Sequence, residues 1–453
     1  MTEDAAVLDA PSAAVDVTVS PTWRKTMTIE VAVVLGLVIA TAGTLMSRVD
    51  VVLIALPLLA CAAIGLDANP LFFAGAQSRA RIHVTRRAAA DVVGEFVFSV
   101  DVDAPPGTEL VLLRLTLLGG RTHQLIVGPE KQNATVTGHL PVLHSGPQRV
   151  VAMDYRLVGV DGAWLSLPVP RELAQQVVPP VLAPIESIPL PHRLTGLTGM
   201  HGSARPGDGG DFRDLHAFAA GDRLRRIDWK ATARRSQGFG DLYVRRTDAT
   251  SDATVVVVID SREDVGERVE RWSHAPGDED GLRAMDVARE AAASLAAAAI
   301  GAGDRVGLLD IASHHGVVRA GSGKRHLDRL LRRIAVSEPS ATRFNRRRAP
   351  IVSAGAIVYL VSTFLDNEAT SVAVLWRAAG HRVIAVDVLP APDLDGCEPR
   401  TRLAHRLVMA ERRLRIAGMR ANGVELFRWQ EDAAQPSRAV VLRTLARAGR
   451  RRR

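Results

Sequence analysis

The spacing of apolar residues changes character several times along the chain. From Thr28 to Met46 they are almost unbroken, with Glu30 the only charge, and a second apolar run extends from Val51 to Leu66 between Asp50 and Asp67. A helix needs about 20 apolar residues to cross a bilayer, so the two runs and the short turn around Arg48 predict a transmembrane helical hairpin over 26–68. Residues 1–25, with Pro11 and Pro21 among Ala, Asp and Val, predict a flexible N-terminal tail. Over 81–170 the period becomes two: Phe96, Phe98, Val100 and Val102, then Leu113, Leu115 and Leu117, alternate with Ser99, Asp101, Arg114 and Thr116. Alternation of this kind marks strands with one buried face. Turns at Pro105-Pro106-Gly107, Gly119-Gly120 and Asp161-Gly162 separate six or seven of them, which predicts an antiparallel β-sandwich.

Prolines at 168, 170, 179, 180, 184, 189 and 191 rule out a helix or a central strand there. Residues 171–252 are therefore read as a Pro-rich connector followed by a charged segment. Beyond Asp252 near-continuous apolar runs alternate with helical patterns. Strands are expected at 253–259, 305–311, 356–361, 382–389 and 424–427, and helices at 282–300, 325–334, 371–379 and 401–419. This order predicts a doubly wound parallel sheet over 253–430, with a basic C-terminal tail at 431–453. The fold class expected is thus multidomain: a transmembrane helical hairpin, an antiparallel β-sandwich and an α/β doubly wound domain.

With 453 residues, 47% of them hydrophobic, the chain is long enough for several cores. The net charge of +8 is almost all arginine, lysine occurring only at 25, 131, 230 and 324, and it gathers at Arg346-Arg347-Arg348 and in the tail. Aromatic residues make up 4% of the chain and no nucleic-acid module is recognisable, so no nucleic-acid partner is expected. Cys61 and Cys397 are the only cysteines, too few for a disulfide framework or a cysteine metal site. Arg24 and Lys25 precede the first apolar run and Arg79, Arg81, Arg86 and Arg87 follow the second. The positive-inside rule then places both termini in the cytoplasm, of a multi-pass protein in the cell membrane.

The densest mixture of charge and apolar residues runs from Gly207 to Arg246. Asp222 and Asp228 each stand before apolar residues at helical spacing and are candidate N-caps. Arg213, Arg223, Arg225, Arg226, Lys230, Arg234 and Arg235 can pair with Asp211, Asp214, Asp222 and Asp228. Asp222, Arg226, Asp228, Trp229, Lys230 and Arg234 are expected to act as a structural clasp, with Trp229 buried against the α/β domain. Arg213, Arg223, Arg225 and Arg235 are the candidates for protein binding. The run Gly207, Gly209, Gly210, Asp211-Phe212-Arg213, Gly221-Asp222, Arg226-Ile227-Asp228-Trp229-Lys230 and Ala233-Arg234 resembles the signature of the bacterial domain-of-unknown-function family fifty-eight, and Gly303-Asp304-Arg305-Val306-Gly307-Leu308 is similar to a further segment of it. The resemblance implies that the α/β domain is of von Willebrand factor A type. It also implies work with a MoxR-type AAA+ ATPase in assembling or maturing other proteins at the cell envelope.

Domains of that type hold a divalent ion with an Asp at the end of the first strand and hydroxyl residues two and four positions on. Here Asp260 is followed by Arg262 and Asp264, a degenerate site, with Ser362-Thr363 and Asp366 on a later strand. Neither metal nor cofactor is expected. Gly321-Ser322-Gly323-Lys324 lacks the earlier glycine of a phosphate loop and has Arg325 after the lysine, so a helix-capping turn is expected. His314-His315 has no acidic partner at ligand spacing. The function expected is a membrane-anchored, non-catalytic scaffold or adaptor. The alternatives are a metal-dependent enzyme using Asp260, Asp264 and Asp366, and a nucleic-acid binder using the arginine clusters.

Overall fold

The structure is a computed structural model, and it describes residues 13–67, 77–87, 94–129, 133–169, 172–192, 194, 199–235, 242–274, 281–312, 317–340, 349–431 and 436–451. His314-His315 and Arg346-Arg347-Arg348 lie outside these. The chain divides between Val178 and Pro179 into two compact units, and its class is mixed α/β with several sheets.

The first unit runs, in chain order, through β1 (Ala13–Val19), β2 (Trp23–Lys25), α1 (Met27–Leu45), α2 (Val49–Asp67), β3 (Ser78–Arg87), β4 (Glu95–Asp103), β5 (Thr108–Leu117), β6 (Thr122–Val127), β7 (Asn133–Pro141), β8 (Gly146–Gly159), β9 (Trp164–Ser166) and β10 (Glu172–Val178). Strands β1-β3-β4-β7 form one antiparallel sheet, and β2-β9-β8-β5-β6 form another, with β10 also paired to β8. The inward residues of both, among them Ile82, Phe96, Phe98, Val100, Leu113, Met153 and Tyr155, share one core. The period of two thus does what it promises.

Residues 13–25, expected to be a flexible tail, differ. Val15, Val17 and Val19 keep a period of two through the Asp and Thr between them, and β1 pairs along β3 from Ala13↔Val84 to Val19↔Ser78. The Arg79 Nε donates to Asp16 at 2.8 Å across this pair. A short strand flanked by Pro11 and Pro21 is hard to see until its edge partner is known.

Helix α1 is long and apolar enough to cross a membrane, whereas the apolar part of α2, Val49–Gly65, is shorter. Most of the α1 surface is exposed, with Val34, Leu37 and Val38 each more than half accessible. The two helices touch at small residues: a Cβ on Gly36 would lie 2.8 Å from Leu59, and one on Gly43 2.8 Å from Val52. At the other end of the helices Trp164 is buried and donates from Nε1 to the Gly65 carbonyl at 2.9 Å, with the Lys25 ammonium 5.7 Å from its ring centroid.

The second unit contains β11 (His201–Ala217), α3 (Trp229–Arg235), β12 (Tyr243–Ser251), β13 (Thr254–Ile259), α4 (Ala284–Gly301), β14 (Arg305–Asp310), β15 (Val318–Gly321), α5 (Lys324–Ala335), β16 (Ile357–Ser362), α6 (Asn367–Ala378), β17 (Arg382–Asp387), α7 (Pro399–Ala421), β18 (Glu425–Arg428) and α8 (Arg438–Arg451). Its main sheet has the order β15-β14-β13-β16-β17-β18 and is parallel except for β15, which runs antiparallel to β14. Val255, Val257 and Ile259 face a core with α4, α5 and α8, while Val256 and Val258 face one with α6 and α7. Both faces are covered, which is why these strands read as unbroken apolar runs. Gly321 ends β15, and Gly323, at φ +87°, is the residue before α5 whose carbonyl accepts from the His326 and Leu327 amides.

The region expected to be a solvated basic tail contains α8. Its Leu442 is 1% exposed in the same core as Phe427 and Trp429. The Arg438 guanidinium lies 4.3 Å from the Trp429 ring centroid, a cation–π contact.

Candidate functional site

Two places in the second unit gather the residues singled out by sequence. The first is the carboxyl end of the main sheet, where ligands bind in open α/β folds. Asp260 follows β13, and its two oxygens accept from Arg262 Nε at 2.8 Å and Nη2 at 2.9 Å. The same guanidinium donates from Nη2 to Asp366 Oδ1 at 3.1 Å, from Nη1 to Glu368 Oε2 at 2.8 Å, and from Nη1 to Asp366 Oδ2. The Arg262 side chain is 2% exposed. Ser362 Oγ donates to Asp260 Oδ2 at 2.7 Å, and Asp366 caps α6 by accepting from the Glu368 amide at 3.1 Å.

Three carboxylates therefore converge on one buried cation that belongs to the chain. Burial works against the charge of Arg262, but the Asp260 and Asp366 carboxylates outweigh it and hold its pKa above the ordinary arginine value. Beside it burial pushes the Glu263 carboxyl up, reinforced by Asp366 and Asp260, with Thr363 Oγ1 donating to it at 3.2 Å. On the neighbouring strand burial also raises Asp310, whose two oxygens accept from Ser261 Oγ at 2.9 Å each. Phe364, fully buried, adopts φ 55°, an uncommon conformation for a bulky residue. It turns the chain just past β16, and its amide donates to Ser362 Oγ at 3.1 Å.

Of the three aspartates considered for metal chemistry, Asp260 and Asp366 meet at Arg262 and Asp264 does not. Asp264 Oδ1 accepts from the Met285 amide at 3.0 Å at the start of α4, and burial raises its pKa. Glu368 and Glu263 were missed from sequence, because their place in the cluster depends on how two loops meet. Among the described residues no group of three or more His, Cys, Asp or Glu is disposed to hold a metal ion.

The second place is the arm made by β11 and β12, paired antiparallel from His201↔Ser251 to Ala217↔Tyr243. Its end carries the signature. Asp228 caps α3 as expected: its Oδ1 accepts from the Ala231 amide at 2.9 Å, and its own amide donates to the Tyr243 carbonyl at 2.9 Å. Asp222 does not cap a helix. Its carboxylate closes the loop by accepting from the Ala219 amide at 2.9 Å, a bond that lowers its pKa with help from His216 and Arg246. The Arg226 Nη2 and Thr247 Oγ1 both donate to the Gly207 carbonyl, at 3.0 and 2.7 Å, and so tie the loop to the arm.

The clasp is therefore largely backbone-directed, and it leaves Trp229 outside. Trp229 is 68% exposed, Leu224 69% and Phe212 53%, so the expected burial of Trp229 against the α/β core does not occur. Its ring borders a shallow concavity of about 550 Å³ with Arg225, Arg226, Ile227, Asp228 and Arg245. The Arg245 guanidinium sits 5.3 Å from the Phe212 ring centroid. Arg223, Arg225, Lys230, Arg234 and Arg235 are exposed around it, and Arg213 Nη1 lies 3.4 Å from Asp248 Oδ1 along the arm. Residues 211–235 hold seven basic and four acidic side chains, so the tip is basic with apolar islands.

Residues 214–395 match the model of a family described as "Protein of unknown function DUF58". The match takes in α3, β12 and the main sheet as far as the loop after β17, and it supports the family resemblance carried by the Ile227–Lys230 motif. No curated protein matches the chain.

Proposed function

We propose that the chain is a membrane-tethered, non-catalytic adaptor whose exposed Trp229 tip docks on a protein partner. The observation that carries this reading is the 68% exposure of a tryptophan whose neighbours Ile227, Asp228 and Tyr243 are joined by backbone hydrogen bonds. A large aromatic side chain left in water costs solvation free energy, and Trp and Arg are the residues that dominate binding energy at protein interfaces. The partner expected from the family resemblance is a MoxR-type AAA+ ATPase, and the sheet domain is taken to be of von Willebrand factor A type. Arg223, Arg225 and Arg235, with Arg213 along the arm, would supply the charge complementarity.

Arg262 supports the non-catalytic side of the reading. Its guanidinium uses the oxygens of Asp260 and Asp366 that a divalent ion would need, which weighs against the metal-dependent alternative. The membrane side rests on α1, with α2 completing a hairpin and both termini in the cytoplasm.

The test is capture of the ATPase held in its ATP-bound state by the full-length chain. Trp229→Ala should leave the melting temperature within experimental scatter and reduce capture by about tenfold or more, the range of an interface hot spot. A sharp fall in melting temperature with capture intact would show that Trp229 is structural and would overturn the reading.

A further inference from the structure

Helix α7 buries one side, and among the described residues its opposite side stays exposed. On the buried side His405 packs edge-on to Trp272, Arg412 donates to Asp387 at the end of β17, and Met419 sits in the core with Ile416 beside it. On the opposite side Leu403, Leu407, Ala410, Leu414, Ala417 and Ala421 recur at alternating steps of four and three, which keeps them on one stripe of a helix. Leu403 is 52% exposed, Leu407 61% and Leu414 74%. The stripe is about 27 Å long at the rise of an α-helix. Four arginines border it, each one position before a stripe residue: Arg402, Arg406, Arg413 and Arg420. All four are exposed, and among the described residues none of them is held in an ion pair. The whole helix carries seven arginines against one glutamate, Glu411.

An exposed leucine stripe edged by unpaired arginines fits a surface that offers both an apolar layer and negative charge. We infer that the outer face of α7 is a peripheral membrane contact, which lays Leu403, Leu407 and Leu414 into the headgroup boundary of an anionic bilayer while Arg402, Arg406, Arg413 and Arg420 meet lipid phosphates. Charge sets this occupant apart from a second copy of the chain, because two such helices packed antiparallel would bring arginine rows together. The inference rests on the membrane-tethered reading for one point: α1 supplies the nearness of lipid.

The full-length chain with Cys61→Ser and Ala410→Cys, labelled at position 410 with an environment-sensitive fluorophore, reads this contact; Cys397 is buried and escapes the label. In nanodiscs rich in phosphatidylglycerol the emission should shift to the blue, and in pure phosphatidylcholine discs it should not. High salt, or Arg402→Glu with Arg406→Glu and Arg413→Glu, should abolish the shift, with partitioning weakened about tenfold or more. Emission that is the same in both discs overturns the inference. So does a shift that follows protein concentration whatever the lipid, which marks a second copy, or one that needs an added protein. Should the chain prove soluble without detergent, the tether fails, yet added discs still test α7: a charge-dependent shift upholds it and its absence removes it.

Discussion

Arg262 illustrates how one side chain can decide what a site does. A buried guanidinium facing Asp260, Asp366 and Glu368 stabilises the fold only while its partners remain, because removing one member of such a cluster leaves buried charge uncompensated. Arg262→Ala should therefore cost about 3 to 5 kcal/mol in chemical denaturation. A loss under 1 kcal/mol would mean that water already screens the cluster. Glu263 makes the complementary case. Its folded pKa is raised, chiefly by burial, so the neutral form is the one the fold favours. The associated stability is fully present below the unfolded pKa and is lost as pH rises through the folded value. Glu263→Gln keeps the neutral state at every pH. The variant should gain on the natural chain as pH rises from acid to neutral, in thermal melts across that range. A difference independent of pH would contradict the assignment.

At the scale of single elements, α8 and the β11–β12 arm carry opposite lessons. The arginines of α8 suggest a solvated end, yet Leu442 reaches the core below them and Arg443 Nη2 donates to Glu186 at 3.0 Å. Leu442→Ala should cost about 2 to 5 kcal/mol, as other buried leucine truncations do. Urea titration showing less than half of that would return α8 to the status of an appendage. The tip of the arm instead bonds to its own loop. Asp222, Arg226, Asp228 and Thr247 all bond to backbone within the arm, so it holds Trp229 in place without covering it.

At the scale of the whole molecule the prediction concerns the membrane. If α1 and α2 both span it, Arg24 and Lys25 before them and Arg79 and Arg81 after them keep the ends inside. A topology reporter inserted after Val49 should then be external, and one fused after Arg453 cytosolic. A reporter after Val49 that stays cytosolic would mean that the helices do not cross, and α1 would then have to be covered by protein.

The sequence by itself determined the elements whose period is strong and local. Continuous apolar runs such as Thr254–Ile259 have one stable environment, a strand covered on both sides. The alternation through Phe96 to Val102 has another, a sheet with one wet face. Asp228 was legible as a cap because capping depends on residues three positions away. What only the tertiary structure decided depends on contacts far apart in the chain. β1 exists because β3 offers it an edge, and Leu442 is core because α8 folds back onto Phe427 and Trp429. Asp260, Asp366 and Glu368 share one cation because the loops after β13 and β16 end side by side, while Asp264, only two residues from Arg262, turns away to α4. Trp229 was misread for the same reason: tryptophan favours burial on average, but the hydrogen bonds that shape its loop are made by backbone and by charged neighbours, and they leave its ring in solvent.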